Sequence, residues 1–535
     1  YSGEHGDGLV RSEWIEPVYG PRLTRAFAEI KRAFDPKGLM NPGKIVAAPK
    51  MDDRSLFRFK PGYGTKGLVT GLDWSEHEVG PENRGRGFAA AVEMCNNNGH
   101  CRKFDAGTMC PSYRATRDEQ HVTRGRANSL RLALSGQLGP DALASRELYD
   151  TLDLCVSCKG CKRECPTGVD MAAMKIEFLH QYHRVQPRSL HDRLVAHLPR
   201  YAKAAARLAP VLNLRDRLPG LAKLSESILG LAAKRTLPKW RRDYFRASEL
   251  GGDSTSTAGD ERRDARGRAT QGTAGMPEVE QRKEQLPGAV AEREVVLFAD
   301  TFNTYFEPEN LRSALAVLRA GGYTVHAAAA PDGRALCCGR TYLATGMIEA
   351  ARAEAQRVLR ALAPFVARGV PVVGLEPSCI LGLRDELKML CPGTASTALG
   401  RAALTFEEFL VHEVEAGRWS RRFQRAPYAR AVVHGHCHQK AFGVMPAVVA
   451  ALKLVPGLTV DVVASSCCGM AGSFGYRPQH LDVSLRMAEA ALLPAVRAAA
   501  ADAVIVADGT SCRHQIRDGA QRDAQHVARV LAAAL

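Results

Sequence analysis

"CVSCKGCKRECP" (residues 155–166) holds the tightest cysteine spacing in the chain, C-x2-C-x2-C-x3-C followed by proline. Three thiolates in so short a loop reach three corners of one iron–sulfur cube, and a fourth carried away before proline is aimed at another centre. That is the spacing of a 4Fe–4S site. Zinc is served instead by two C-x-x-C pairs set farther apart. The fourth corner must come from elsewhere, and "CNNNGHCRKFDAGTMCP" (95–111) offers it. Where two such runs cooperate, the last cysteine of each ligates the other's cluster. The reading therefore groups Cys155, Cys158 and Cys161 with Cys110, and leaves Cys95, Cys101 and Cys165 for a second centre.

That second centre is incomplete, because Asn98 stands where the earlier run should place its middle cysteine. Three outcomes stay open. It is a three-iron cluster, a four-iron cluster with Asn98 or His100 as an unusual ligand, or no cluster.

Farther along, "EVVLFAD" (294–300), "VPVVGLEPSC" (370–379), "ARAVVHGHCHQ" (429–439) and "DAVIVADGTSC" (502–512) are short β-rich runs ending in polar or cysteine-bearing loops. Helical patterns separate them, which is α/β organisation. The pattern also repeats: "CCG" occurs at 337–339 and 467–469, and Ser378–Cys379 is echoed by Ser511–Cys512. Two copies of one α/β unit account for this. Adjacent cysteines cannot comfortably occupy separate corners of an ordinary cubane. They suit a compact non-cubane iron–sulfur site or a paired-thiol redox site, with buried unreactive thiols as the plain alternative. The second copy is complete in Cys437, Cys467, Cys468 and Cys512. The first has Cys337, Cys338 and Cys379, with Asn303 matched to Cys437. Cys391 stands alone and reads as a buried core residue.

The bulk numbers agree. A chain of 535 residues has room for about two to four domains. Its 15 cysteines fall in groups, which points to metal in a reducing compartment rather than to a disulfide scaffold. The net charge of +16 raises nucleic-acid binding, but the arginines are spread along the whole chain with no aromatic interleaving. No apolar run is long enough for a transmembrane helix. "ARLAPVLNLRDRLPGLAKLSESILGLAAKR" (206–235) is basic and amphipathic, broken near Pro219. Packing its leucines on the core is the ordinary outcome, and lying on a membrane surface the other. Residues 251–278 contain no Val, Ile, Leu or aromatic residue, so a linker unable to bury a core is expected there. At the start, "YSGEHGDGLVR" packs acids, a histidine and glycines into one loop, and "FDPKGLMNPGK" ends a helix running from Pro21 to Phe34.

Taken together these motifs resemble a known family. The paired "CCG" units resemble the cysteine-rich domain of heterodisulfide reductase, glycolate dehydrogenase and anaerobic glycerol-3-phosphate dehydrogenase subunits. Residues 1–50 resemble the C-terminal end of FAD-linked oxidases of the vanillyl-alcohol-oxidase type, through "GEHGDG" and "FDPKGLMNPGK". Proteins joining all these parts resemble bacterial D-lactate and D-2-hydroxyglutarate dehydrogenases. The resemblance implies a multidomain α and α/β chain. Its parts are the end of a truncated FAD domain (1–50), a connector (51–85), an α-helical ferredoxin-like domain (86–185), a helical segment (186–250), a disordered linker (251–290) and CCG repeats at 291–400 and 401–535. It also implies that Tyr1 is an internal residue of a longer protein, and that this piece alone is inactive in the flavin half-reaction.

By the same resemblance, Glu4 is a ligand of a divalent metal such as zinc that holds the substrate, and His5 is the base for the hydroxyl proton. Asn41 lies against FAD. The implied function is oxidation of a D-2-hydroxy acid (D-lactate, D-2-hydroxyglutarate or glycolate), with electrons leaving through 4Fe–4S clusters to a quinone, cytochrome or flavoprotein. A cytoplasmic protein is expected, with peripheral attachment to the inner face of the membrane left open and no nucleic-acid partner. The alternatives are a heterodisulfide-reductase-like thiol–disulfide oxidoreductase and an iron–sulfur nucleic-acid-binding protein.

Overall fold

The computed structural model describes residues 4–53, 55, 62–65, 67–105, 107–250, 293–330 and 332–535. The segment 251–290, expected as a disordered linker, lies outside them. The chain divides into two compact units, Tyr1–Lys66 and Gly67–Leu535.

The first unit is built on α1 (Ile15–Phe34), which is longer than the helix expected from Pro21. Gly20, at a left-handed φ of 77°, breaks it in two, and Pro21 opens the second half, where its fixed φ and missing N–H cost nothing. Asp35 ends the helix: its carboxylate accepts from the backbone N–H of Leu39 and of Met40, both at 2.9 Å, and pairs with Lys31.

The second unit begins with packed chain. Glu177, fully buried, accepts hydrogen bonds from the backbone of Gly71 and Leu72 and from the Trp74 indole, and Leu72 and Trp74 are core residues. The later half of the expected connector is therefore part of a folded body. Short helices follow: α2 (Gly87–Glu93), α3 (Pro111–Thr116), α4 (Thr123–Leu134), α5 (Arg146–Asp153), α6 (Gly160–Glu164) and α7 (Met171–Val185). Then come α8 (Leu190–Arg207), α9 (Ala209–Leu212) and α10 (Pro219–Leu229), the last opened by Pro219 at its first position. The leucines of this stretch do not all pack inward as expected. Leu208, Val211, Leu221, Leu224 and Ile228 are exposed.

The remainder is α/β. Strands β1 (Glu294–Phe298), β2 (Thr324–His326), β3 (Val372–Gly374) and β4 (Ala403–Thr405) form one parallel sheet in the order β2-β1-β3-β4. Strands β5 (Arg430–Val433), β6 (Thr459–Val462), β7 (Val504–Val506) and β8 (Ala524–Gln525) form a second parallel sheet in the corresponding order β6-β5-β7-β8. Parallel neighbours require helical crossovers and bury both faces, which is why the central strands are mainly Val, Ile and Leu. In each sheet the strand order reverses between the central pair. Ligands of such sheets sit in the crevice at the carboxyl ends of those strands. The cysteine-bearing loops leave β3, β5 and β7 at that crevice.

One buried cation ties the helical part to the first sheet. Lys159, 1% exposed, lies 2.6 Å from Asp385, 3.2 Å from Asp170 and 3.3 Å from Glu386. The three carboxylates outweigh the desolvation of the ammonium and hold it charged. Lys159→Met removes the buried cation from among three acids, leaving only Lys162 and Arg340 against them, and is expected to cost about 3 kcal/mol. Urea unfolding measures it, and a Lys159→Met/Asp385→Leu double variant recovers part of the loss if the coupling is direct.

Candidate functional site

The loop after α5 curls because Ser157 and Lys159 both adopt left-handed φ values, 51° and 58°. That conformation costs about 1–2 kcal/mol per non-glycine residue. It turns Cys155, Cys158 and Cys161 toward one small cavity, and Cys110 completes its lining. Glu164 brings Cys110 there, accepting from the backbone N–H of Thr108 at 2.6 Å and of Met109 at 3.1 Å. Arg126, buried and unforeseen from the sequence, donates to Cys110 Sγ at 3.6 Å and to Ser112 Oγ at 2.9 Å. Burial raises the cost of a Cys110 thiolate, but the Arg126 guanidinium and hydrogen bonds from Ser112, Thr123 and the Tyr113 backbone together outweigh it and hold the thiol below its usual range. Burial pushes both Cys158 and Cys161 up, aided by neighbouring sulfurs at Cys158 and by the Asp170 carboxylate and Cys155 at Cys161. Four converging thiols, three of them buried and two of those resisting ionisation, fit an iron–sulfur cluster, whose iron supplies the missing positive charge.

The other three cysteines are arranged less tightly. Cys101 is driven up to about 11 by burial, with Cys110 and Cys95 as neighbouring sulfurs. Cys165 stays outside the cavity, its Sγ 3.3 Å from Thr167 Oγ1. Asn98 is exposed and shapes its own turn: its side chain donates to Asn96 Oδ1 at 2.6 Å and accepts from the His100 N–H at 2.8 Å. His100 is exposed as well.

The two "CCG" turns share one geometry. Gly339 and Gly469 have φ values of 82° and 84°, and each N–H donates to the sulfur two residues back, Cys337 or Cys467, at 3.4 Å. A Cβ on Gly469 would collide with the Ser484 carbonyl, so the glycine is required on both counts. Beyond that, the two sites diverge. In the second, the sulfurs form a chain, Cys437 to Cys467 to Cys468 to Cys512, with all four buried. One ligand atom each from His434, Cys468 and Cys512 fall within 4.8 Å of one another. The neighbouring Cys467 thiol draws Cys437 down to about 6, and donation from Cys467 and Cys512 lowers Cys468. Lys440, His434 and His436 surround these sulfurs. The Lys440 ammonium donates to the Ser466 carbonyl at 3.0 Å, which places it at the turn.

In the first site, Cys338 and Cys379 approach to 3.0 Å, beside Asp300 and Glu376. The Cys338 hydrogen bond favours a Cys379 thiolate, but burial together with the Asp300 and Glu376 carboxylates and Cys337 outweighs it and pushes Cys379 up to about 12. The match of Asn303 to Cys437 is corrected by helix register. Asp300 and His436 are the N-caps of helices Thr301–Tyr305 and Cys437–Ala441, so Thr301 occupies the position of Cys437 and Asn303 that of Gln439. Cys391 is half-buried rather than core.

The two kinds of site meet. Cys158 packs in the same apolar cluster as Cys437, Cys467, Cys468 and Cys512, and Cys437 is among the groups that raise it. The Ser157 carbonyl lies 3.1 Å from His438 Nε2 and accepts from Arg340 at 3.4 Å. In the first unit, Glu4, His5 and Asn41 are all exposed, so these three residues by themselves do not enclose a flavin.

Comparison with known proteins agrees with this division. Residues 1–45 match the family model for the C-terminal domain of FAD linked oxidases, 91–169 that of a 4Fe-4S dicluster domain, and 431–517 that of a cysteine-rich domain. The chain is 26% identical over 560 residues to D-2-hydroxyglutarate dehydrogenase of Escherichia coli K12, covering 96% of this chain and 49% of that protein. It is 28% identical over 561 residues to the Pseudomonas putida protein of the same name, covering 98% and 50%. It is also 26% identical over 405 residues to one of the subunits of the anaerobic glycerol-3-phosphate dehydrogenase of E. coli K12, covering 75% of this chain and 92% of that protein. The chain thus spans about half the length of the D-2-hydroxyglutarate dehydrogenases it matches. No helix among the described residues is long and apolar enough to cross a membrane.

Cys161→Ser is expected to remove most of the iron–sulfur absorbance near ~400 nm of anaerobically purified protein, whereas Cys165→Ser leaves most of it. Iron and sulfide analysis checks both, and stoichiometric zinc without iron would count against the assignment.

Proposed function

We propose that this chain is the electron-transfer part of an FAD-dependent D-2-hydroxy-acid dehydrogenase. D-2-hydroxyglutarate heads the candidate substrates, ahead of D-lactate and glycolate, because that is the name borne by relatives matching nearly the whole chain. The observation that carries the reading is the contact between the two thiol sets, with Cys158 and Cys437 in one buried cluster. A cluster held by Cys110, Cys155, Cys158 and Cys161, or by Cys437, Cys467, Cys468 and Cys512, supplies one-electron transfer.

The chain's own residues do the rest. Arg126 and Lys440 stabilise sulfur-borne negative charge, His434 hydrogen-bonds Cys468, and the surrounding core keeps water out. The second α/β site is the outlet in this reading, because its thiolates have cationic neighbours. The first site has Thr301 in place of a thiolate, and Asp300 and Glu376 oppose further negative charge. His5 takes the substrate hydroxyl proton and Glu4 ligates a divalent metal, roles open to them because both are exposed. The two CCG repeats, their boundaries and the ferredoxin-like cluster pairing belong to the same proposal.

The test joins this chain to its flavin-binding domain and follows D-2-hydroxyglutarate oxidation with two acceptors. Cys467→Ser or Cys512→Ser should cut transfer to the physiological acceptor at least tenfold. Reduction of a dye that takes electrons directly from the flavin should persist. Cys338→Ser should change either rate less than threefold. Equal loss in Cys338→Ser and Cys467→Ser, with the fold intact, would refute the assignment of the outlet.

A further inference from the structure

Three ionisable side chains that take no part in the cysteine sites meet where the two α/β copies adjoin. Glu407 is the second residue of the helix Phe406–Glu415, which starts directly after β4 of the first sheet. Asp508 lies two residues beyond β7 of the second sheet, and His526 follows β8 directly. All three are buried, with exposures of 2%, 2% and 0%. One ligand atom from each falls within 4.8 Å of the other two.

Their hydrogen bonds prepare them for a cation. His526 places Nε2 3.0 Å from the Leu375 carbonyl of the first copy, so the ring proton sits on Nε2 and the lone pair on Nδ1. Metal-binding histidines are oriented in this way, the far ring N–H donating to a backbone carbonyl. Nδ1 lies 3.5 Å from Asp508 Oδ1 and accepts from the Ala528 N–H at 3.0 Å. Asp508 accepts from the Gln439 side-chain amide at 2.8 Å on Oδ2 and from the Val527 N–H at 2.9 Å on Oδ1. Each of its oxygens keeps a second lone pair. Glu407 Oε1 is buried with no hydrogen-bond partner among the described residues, and such an atom is costly.

Charge points the same way. Among the described residues no lysine or arginine pairs with Glu407 or Asp508. Arg513 acts on Asp508 but is committed to Glu307 and to the Ala507 carbonyl. Burial and the Asp508 charge push the Glu407 carboxyl up, so the pair lacks a counter-ion. Two carboxylates and a neutral imidazole balance one divalent cation. Magnesium and calcium favour oxygen alone, whereas imidazole with carboxylate suits zinc, which accepts three protein ligands. The competing occupant is a proton on Glu407, which would cancel only one of the two charges.

We propose that Glu407, Asp508 and His526 bind a zinc ion that fastens the first α/β copy to the second. One ligand comes from the first copy and two from the second, so the ion opposes their separation. Binding is redox-neutral: the ion takes the Nδ1 lone pair from the Ala528 N–H, and the Glu407 proton goes to solvent. Asp508 also holds Gln439, whose side-chain oxygen accepts the His436 N–H at 2.9 Å. The ion therefore steadies the start of the helix Cys437–Ala441. This role is structural and does not depend on the electron-transfer reading.

The full chain, purified anaerobically and dialysed against EDTA, should keep about one zinc ion per chain beside its iron, read by elemental mass spectrometry. Zinc-edge X-ray absorption should give a first shell of nitrogen and oxygen at about 2.0–2.1 Å, without sulfur at about 2.3 Å. Absence of zinc, or a sulfur shell, overturns the proposal, the latter by placing the ion among cysteines. Glu4→Gln should retain the zinc, and its loss there moves the site to the first unit and overturns the proposal equally. Glu407→Gln should lose the zinc and melt about 5 °C lower or more, by circular dichroism. Glutamine imitates a protonated glutamate, so a melting temperature unchanged or raised in Glu407→Gln establishes the proton as occupant and overturns the zinc. Should that variant not fold, the unaltered chain expressed in zinc-depleted medium serves instead. It should melt lower by a similar amount and recover when zinc chloride is added, and a melting temperature indifferent to zinc overturns the proposal.

Discussion

Lys159 is the constraint on which the arrangement turns. Its ammonium sits among Asp170, Asp385 and Glu386 with almost no exposure. Lys162 adds a second contact to Asp385 at 2.7 Å, and Arg340 pairs with Glu386 while reaching the Ser157 carbonyl. Ion pairs so buried rarely add net stability over apolar packing, but they penalise every arrangement that separates the partners. The cysteine loop is therefore held against the first α/β sheet in one register. That register brings Cys158 to the sulfurs of the second sheet.

Two copies of one α/β design reach different electrostatic outcomes: the second lowers Cys437 and Cys468 while raising Cys467 and Cys512, and the first raises Cys337, Cys338 and Cys379 alike. Both place a Cys-Cys-Gly turn and a Ser-Cys helix start at the crevice where strand order reverses, and in both a glycine at left-handed φ donates its N–H to sulfur. What differs is the residue that starts the helix after the first central strand, and its neighbours. Cys437 is surrounded by His436, His438 and Lys440. Thr301 stands beside Asp300 and Glu376, carboxylates that oppose negative charge on sulfur. The copies are also bound to each other. Glu376 of the first caps the Thr510 N–H of the second at 2.9 Å, and Arg513 pairs with Glu307. The degenerate copy thus supports the helix that carries Cys512.

Much of the site was legible in the sequence because thiolate chemistry imposes short spacings. The C-x2-C-x2-C loop and its partner Cys110 follow from the geometry of a cube, and the structure gathers those four around one cavity. The four strands expected from β-rich runs are the central pairs of the two sheets, where burial on both faces enforces Val, Ile and Leu. The flanking strands β2, β4, β6 and β8 all include half-buried or exposed positions, so no continuous apolar run marks them.

The linear chain by itself determined the cysteine spacings, the β-rich runs that become the central strands and the two CCG turns. Only the tertiary structure decided which sulfurs gain counter-charge, that Thr301 rather than Asn303 stands for Cys437, and that the 95–111 segment meets the later run through Glu164. It also decided that leucines of α8–α10 face outward. The physical reason is range. Ligand spacing and strand burial act over a few residues and leave periodic marks. Desolvation, ion pairing and helix register depend on groups hundreds of residues apart, such as Lys159 and Asp385, which no local pattern can join.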